Sequence, residues 1–243
     1  MNWNAPPRPA EYAEKALISA ILNNEFPPGS TLPGERDLAA QLGVTRPTLR
    51  EVLQRLDRDG WLDIQHGKAT RVTDYWREGG LNVLSALVRY GDTLPPEFIP
   101  NLLSVRLALA PTYTRLAVEH HPDQVVQLLA EGVDLPDIPQ SFAAFDWRLH
   151  HALTVASENP VFTLILNGFS GFYEQMAVKY FVSETARLAS KKFYTYLQQA
   201  AQRADADGAE RLAREIMQKS ITIWMQTSMM PASTMKTATG DTL

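Results

Sequence analysis

The chain has no cysteine, which excludes a disulfide framework, a thiolate nucleophile and a thiolate zinc site. It has no surplus of positive charge either. Lys and Arg number 23 against 27 Asp and Glu, for a formal net charge of −4, so the protein is not one that coats nucleic acid indiscriminately. Residues 1–78 carry ten Lys/Arg and eleven Asp/Glu; any nucleic-acid contact there must come from placement rather than excess. No apolar run approaches the ~20 residues of a membrane span, and MNWNAPPRPAEY lacks the apolar core of a signal peptide. The expectation is a cytoplasmic protein with no membrane partner. Neither a phosphate-cradling glycine loop nor a nucleophile-base arrangement can be found, so an enzyme is not indicated.

What is present is a patterned segment from Leu32 to Lys68, LPGERDLAAQLGVTRPTLREVLQRLDRDGWLDIQHGK. A first helix is expected over about Glu35 to Leu42, with Gly34 as N-cap and Leu38, Ala39 and Leu42 on one face; Gly43 ends it in a left-handed turn. A second helix follows Thr45, whose hydroxyl can cap the first turn, and Pro47 falls where an N–H is not needed. Leu49, Val52, Leu53 and Leu56 form its inward stripe, and Arg46, Arg50, Gln54 and Asp57 line another side. Asp59-Gly60 closes it. Period-two alternation over Trp61 to Gln65 and again over Thr70 to Val72 predicts two strands around the turn His66-Gly67-Lys68-Ala69. Helix, turn, arginine-led helix and wing in succession describe a winged helix-turn-helix. Its second helix would present Arg46 and Arg50 to guanine edges in the major groove, because the planar guanidinium can donate twice to O6 and N7. Arg36 and Thr48 would touch phosphate or support docking, Thr45 opens the helix between them, and His66 with Gly67 at the wing tip would enter the minor groove.

Before this segment, a helix from Glu11 to Asn24 is expected, with Ala13, Ala16, Leu17, Ala20 and Ile21 as its apolar stripe; residues 1–8 are expected to be disordered. After it, the polar run TDYWREGG marks a boundary. The expected division is a winged-helix domain over 1–74, a linker over 75–80, an all-α domain over 81–230 and a disordered tail over 231–243. Six or seven helices are expected in the second domain, over segments near 82–90, 96–119, 122–131, 140–157, 161–181, 183–204 and 206–230, broken mainly at prolines. The fold class is mainly α, a winged helix followed by a helical bundle, and a bundle of this size can hold a ligand between its helices.

Three features of that bundle carry chemistry. Asp146 and His150 stand four apart on one helix, a spacing that suits a metal ion as well as an ordinary helix-surface contact. Arg106 lies within the apolar run NLLSVRLALA, where it must either pair with an interior carboxylate or meet an anionic ligand. Phe162, Phe169, Phe172, Tyr173, Tyr180 and Phe181 form an aromatic-rich stretch whose spacing suits core packing.

The segments NNEFPPGSTLP (23–33), GVTRPTLREVLQRLDRDGWLDIQHGK (43–68) and ENPVFTLILNGFSGFYEQ (158–175) resemble the GntR superfamily of bacterial transcriptional regulators, and within it the fatty-acid-metabolism branch known as FadR. The resemblance implies a homodimer on a palindromic double-stranded DNA operator, repressing fatty-acid degradation, activating unsaturated fatty-acid synthesis and released by long-chain acyl-CoA. No cofactor is implied. It further implies that Phe169, Tyr173 and Tyr180 line an acyl tunnel and that Arg106, Ser220 and Trp224 meet the charged end. Relatives in the wider superfamily complete a metal site with two more histidines; near Phe193–Tyr194 and Gln218–Lys219 this chain has none, so no metal is expected. Met217 departs from the branch, which keeps a glycine there, and a longer side chain would narrow the site. Two other readings remain: a GntR-type sensor of a small carboxylate, and an acyl-CoA-binding enzyme or carrier.

Overall fold

The computed structural model describes residues 8–91 and 95–228, so the termini expected to be disordered lie outside it apart from Arg8. The chain divides into two compact units, Met1–Leu94 and Pro95–Leu243.

In the first unit, α1 (Pro9–Leu22), α2 (Glu35–Leu42) and α3 (Arg46–Arg58) pack together, with α1 and α2 both against α3. The α1 stripe buries Ala13, Leu17, Ile18 and Ile21; Ala16 and Ala20 are only half-buried, and Ile18, which the pattern omits, is 1% exposed. Gly43 takes φ +65° between α2 and α3. Thr45 caps α3, accepting from the Thr48 amide at 3.3 Å, and Leu49, Val52, Leu53 and Leu56 are all buried, worth about 1.5–3 kcal/mol each.

The wing is shorter than the alternation suggests: β1 is Leu62–Asp63 and β2 is Arg71–Val72, paired antiparallel. Two competing bonds explain this. The Ile64 amide turns away to donate to Asp57 Oδ1 at 2.8 Å, and the Thr70 carbonyl accepts from Leu32, while Val72 exchanges bonds with Gly29 and Ser30. The strand after the wing tip is thereby shared between β1 and the segment preceding α2.

The run TDYWREGG is not the free linker that its polarity suggests. It contains α4 (Tyr75–Glu78), Thr73 donates from Oγ1 to the Gly60 carbonyl at 2.6 Å, and the Tyr75 ring lies 4.8 Å from that of Trp61. Gly60, at φ +86°, lies so close to this run that a Cβ on it would come within 2.8 Å of Gly79 Cα. One aromatic ring amid the charges, that of Tyr75, gives the segment something to pack against Trp61, while Trp76 stays 53% exposed. Then α5 (Leu81–Tyr90) packs on α1, so by packing the first unit extends beyond residue 80.

The second unit holds α6 (Phe98–His120), α7 (Pro122–Ala130), α8 (Pro139–Ala156), α9 (Pro160–Asn167), α10 (Ser170–Phe181), α11 (Glu184–Gln202) and α12 (Ala206–Ser228). Pro122, Pro139 and Pro160 each open a helix, the position where a missing N–H is tolerated. The expected single helix over 161–181 is two. The Gly168 amide is shared between the carbonyls of Leu164 and Ile165 and that of Phe169 reaches Leu166, a tightened turn that redirects the chain without a proline. The longest packing seam runs between α12 and α6, with α10 against α8 and α11 against α12 and α7; Phe142, Phe145, Leu149, Leu153, Phe181 and Leu197 lie in the core they enclose.

Candidate DNA-binding face and effector cavity

On the first unit, α3 presents Arg46 and Arg50 one turn apart, both exposed. Arg46 has no ion-pair or hydrogen-bonding partner among the described residues, whereas Arg50 donates from Nε to Glu35 Oε2 at 2.7 Å. Arg36, also exposed, bonds its neighbour Asp37 at 3.1 Å. The Thr45 and Thr48 hydroxyls lie 2.8 Å apart, so Thr48 is tied to the cap it helps to form. At the wing tip a turn closed by the Lys68 amide on the Gln65 carbonyl holds His66 and Gly67 at its exposed corner, Gly67 at φ +74° with open space around it. With no side chain at this corner, the backbone is open to close approach.

On the second unit, α6, α8, α9, α10 and α12 enclose a cavity. Empty space within its lining amounts to about 890 Å³, open mouth included; the lumen is a slot between the helices. Arg106, Phe169, Tyr173, Tyr180, Ser220 and Trp224, separated by up to 118 positions in sequence, all line it. Tyr180 donates to Ser220 Oγ at 3.2 Å, and Ser220 donates to the Ile216 carbonyl at 2.8 Å.

Apart from Tyr180 and Ser220, the polar wall of the slot is a network around Asp146. Its Oδ2 accepts from Arg106 Nη2 at 3.2 Å and from the Tyr173 hydroxyl at 2.5 Å, and its Oδ1 accepts from Tyr194 at 3.5 Å. Arg106 also lies over the Tyr173 ring, 5.2 Å from its centre. Arg106 thus finds the interior carboxylate that one of its two readings requires. Burial works to raise the Asp146 carboxyl, but His150, Arg106 and the Tyr173 hydrogen bond outweigh it and hold the group below the ordinary carboxylate range. Burial likewise works against the Arg106 charge, yet the oxygens of Tyr173 and Asp146 overcome it and keep the guanidinium protonated. His150, fully buried, is pushed down to about 4, chiefly by burial. It is therefore neutral at pH 7, its Nδ1 2.8 Å from the Tyr113 hydroxyl and its Nε2, 3.6 Å from Asp146 Oδ1, without a hydrogen-bond partner among the described residues. Burial raises Tyr113, Tyr173 and Tyr194, so the phenols are neutral as well. One guanidinium and one carboxylate cancel, and the wall carries no net charge.

Where a metal would need further ligands beside Asp146 and His150, the neighbours are a guanidinium and phenols, and no group of three or more potential metal ligands occurs among the described residues. Met217 is 3% exposed and belongs to the hydrophobic core; it is not among the residues lining the slot. Sequence reasoning named Arg106 but missed the rest of the α6 contribution. Ile99, Leu102, Leu103, Arg106 and Tyr113 all line the slot, and their spacing is a helical stripe that contains Arg106, so the signal was there. It also missed Glu35, which charge patterning along a single helix cannot connect to Arg50.

Comparison with known proteins joins the two sites. Residues 9–72 match the family of bacterial regulatory proteins, gntR family, and residues 73–235 match the FadR C-terminal domain. The fatty acid metabolism regulator protein of Shewanella baltica is 45% identical over 226 residues, covering 93% of this chain and 95% of that protein. Its namesake from Yersinia pestis is 43% identical over 216 residues, covering 89% and 90%. Among solved structures, the Listeria monocytogenes protein Lar, described as controlling expression of the agr system and mediating virulence, shares the fold at 16% identity, with a TM-score of 0.52 over 92% of this chain and 99% of that one. No described helix is long and apolar enough to cross a membrane. With its winged helix, its helical second unit and these relatives, the chain belongs to the fatty acid metabolism regulators of the gntR family and is a DNA-binding transcription regulator rather than an enzyme.

Proposed function

We propose that the protein acts in the cytoplasm as a homodimer on a near-palindromic operator and that a long-chain acyl-CoA, lodged in the slot of the second unit, lowers its affinity for that DNA. The genes under control would be those of fatty-acid degradation, repressed, and of unsaturated fatty-acid synthesis, activated. A two-fold dimer presents two recognition helices to half-sites related by the same symmetry. Arg46 and Arg50 would read base edges, Arg36, Thr45 and Thr48 would hold the backbone, and His66 with Gly67 would enter the minor groove.

The observation that carries the effector reading is the slot's charge balance. A sensor of a small carboxylate needs an unmatched cation in its pocket; here Asp146 already neutralises Arg106, and its own charge opposes a second carboxylate. A long apolar chain asks only for a narrow, uncharged, mostly apolar lumen, which Phe169, Tyr173 and Tyr180 supply. The guanidinium N–H groups that Arg106 does not use on Asp146, together with Ser220 and Trp224, remain for the polar head of the ligand. Such a ligand releases DNA only by binding the DNA-incompetent arrangement more tightly, and a coupling of about 1–3 kcal/mol weakens operator binding some 5- to 150-fold. Calorimetric titration with oleoyl-CoA tests the site: saturable binding with one site per chain, accompanied by a change in Trp224 fluorescence that Trp224→Phe removes, is expected. No heat with oleoyl-CoA, together with saturable binding of a small carboxylate, rejects the reading.

A further inference from the structure

The first two arginines of α3, Arg46 and Arg50, are held differently, and the difference assigns a role to a residue on another helix. Arg46 ends in solvent; the Arg50 Nε is fixed 2.7 Å from Oε2 of Glu35, the first residue of α2, fifteen positions earlier. A guanidinium has five donors, and the bond from Nε occupies one edge while leaving the two terminal nitrogens free. Those two nitrogens form the fork that can meet O6 and N7 of guanine. A carboxylate at the edge of an interface with phosphates is otherwise unfavourable, because it repels the backbone that supplies most of the binding energy. Its presence beside Arg50 therefore calls for a return in specificity.

We propose that Glu35 is a positioning residue for DNA reading: by gripping Arg50 at Nε it aims the arginine fork at one base pair and keeps it from the neighbouring phosphates. The inference rests on the reading of α3 as the recognition helix. Freed from Glu35, Arg50 has the reach and the charge to pair with any phosphate, which raises affinity for all sequences while losing the base contact.

The test begins with a duplex selected by the wild-type protein from a random pool, measured by gel shift beside a scrambled duplex of the same length. Glu35→Ala should lower the ratio of selected to scrambled affinity by about 5-fold or more, the low end of what one bidentate contact supplies, with affinity for the scrambled duplex unchanged or higher. Glu35→Gln, which keeps an acceptor oxygen for Nε, should retain most of the ratio. In an Arg50→Ala background, Glu35→Ala should leave the ratio where Arg50→Ala alone puts it. A ratio unchanged by Glu35→Ala overturns the proposal, as does an equal fall with and without Arg50. A fall with Glu35→Gln as large as with Glu35→Ala also overturns it, since charge alone would then be at work. If selection enriches no duplex at all, the recognition-helix reading fails and this inference falls with it.

Discussion

Two arginine–carboxylate pairs, one in each unit, are chemically alike and physically opposite. Arg50–Glu35 is the shorter, at 2.7 Å, with side chains 60% and 37% exposed; Arg106–Asp146 is 3.2 Å long, with side chains 23% and 10% exposed. Distance alone would rank the first as stronger. Solvent reverses the ranking: an exposed pair is typically worth about 0–1 kcal/mol, while breaking a buried pair from one side strands a charge and destabilises by about 3–5 kcal/mol. The pair on α2 and α3 can therefore orient a side chain without carrying the fold, and the pair in the slot is part of what holds α6, α8 and α10 together. On the proposed reading of α3, charge serves recognition where it is wet and architecture where it is dry.

The largest expected effects break the buried side of that contrast. Arg106→Ala should destabilise the second unit by about 3–5 kcal/mol in denaturant unfolding, and replacing both partners, Arg106→Met with Asp146→Leu, should recover a substantial part. If Arg106→Ala lowers stability by no more than an exposed pair would, Asp146 is not held as described. Met217→Gly belongs in the same class. Removing a core side chain of this size and placing glycine inside a helix should together lower stability by about 3 kcal/mol or more, a change that calorimetry on the variant reads without any ligand.

Acid should sharpen the contrast next. His150 is depressed in the folded protein to about 4 from 6.5, so its contribution is complete above pH 6.5 and is lost as pH falls toward 4, where the unfolded chain takes up a proton that the folded chain refuses. Asp146, lowered from 3.8, adds its loss only at lower pH still, in the same direction. Stability measured from pH 7 to 4 should fall more steeply in the wild type than in His150→Gln; parallel curves would show that His150 is not held neutral.

On the wet side the effects fall on binding rather than folding. Arg46→Ala should weaken binding to the selected duplex by on the order of 1–3 kcal/mol while leaving the scrambled duplex much less affected and the melting temperature unchanged. Equal losses on both duplexes would make Arg46 a phosphate contact. The smallest effect is on stability itself: Glu35→Ala should shift unfolding of the first unit by no more than about 1 kcal/mol.

How much of this could be read in the sequence follows the same division. Local signals were faithful. Thr45 and Pro47 start α3, Gly43 and Gly60 take left-handed turns, and prolines 122, 139 and 160 open helices, because each acts through its own backbone. Effects that depend on a partner distant in sequence were not legible. Asp57 stopping β1, Tyr75 stacking on Trp61, and the break at Gly168–Phe169 all depend on tertiary neighbours or on bond sharing without a marker residue. For the slot, resemblance supplied six residues that the fold gathers on one cavity. Periodicity alone assigned the aromatics to core packing, and both descriptions apply: Phe181 is at once buried in the core and part of the slot lining. The partner of Arg106 was left open until α6 and α8 were brought together.

Occupancy of the dry slot should be felt at the wet face. The most direct measurement is the affinity of the full chain for its selected duplex, by fluorescence anisotropy, with and without saturating oleoyl-CoA. A fall of about 5- to 150-fold is expected, abolished when the slot is blocked by Leu102→Trp, an enlargement at a lining residue outside the Asp146 network. An unchanged affinity at saturation, with binding of oleoyl-CoA verified in the same sample, would contradict it.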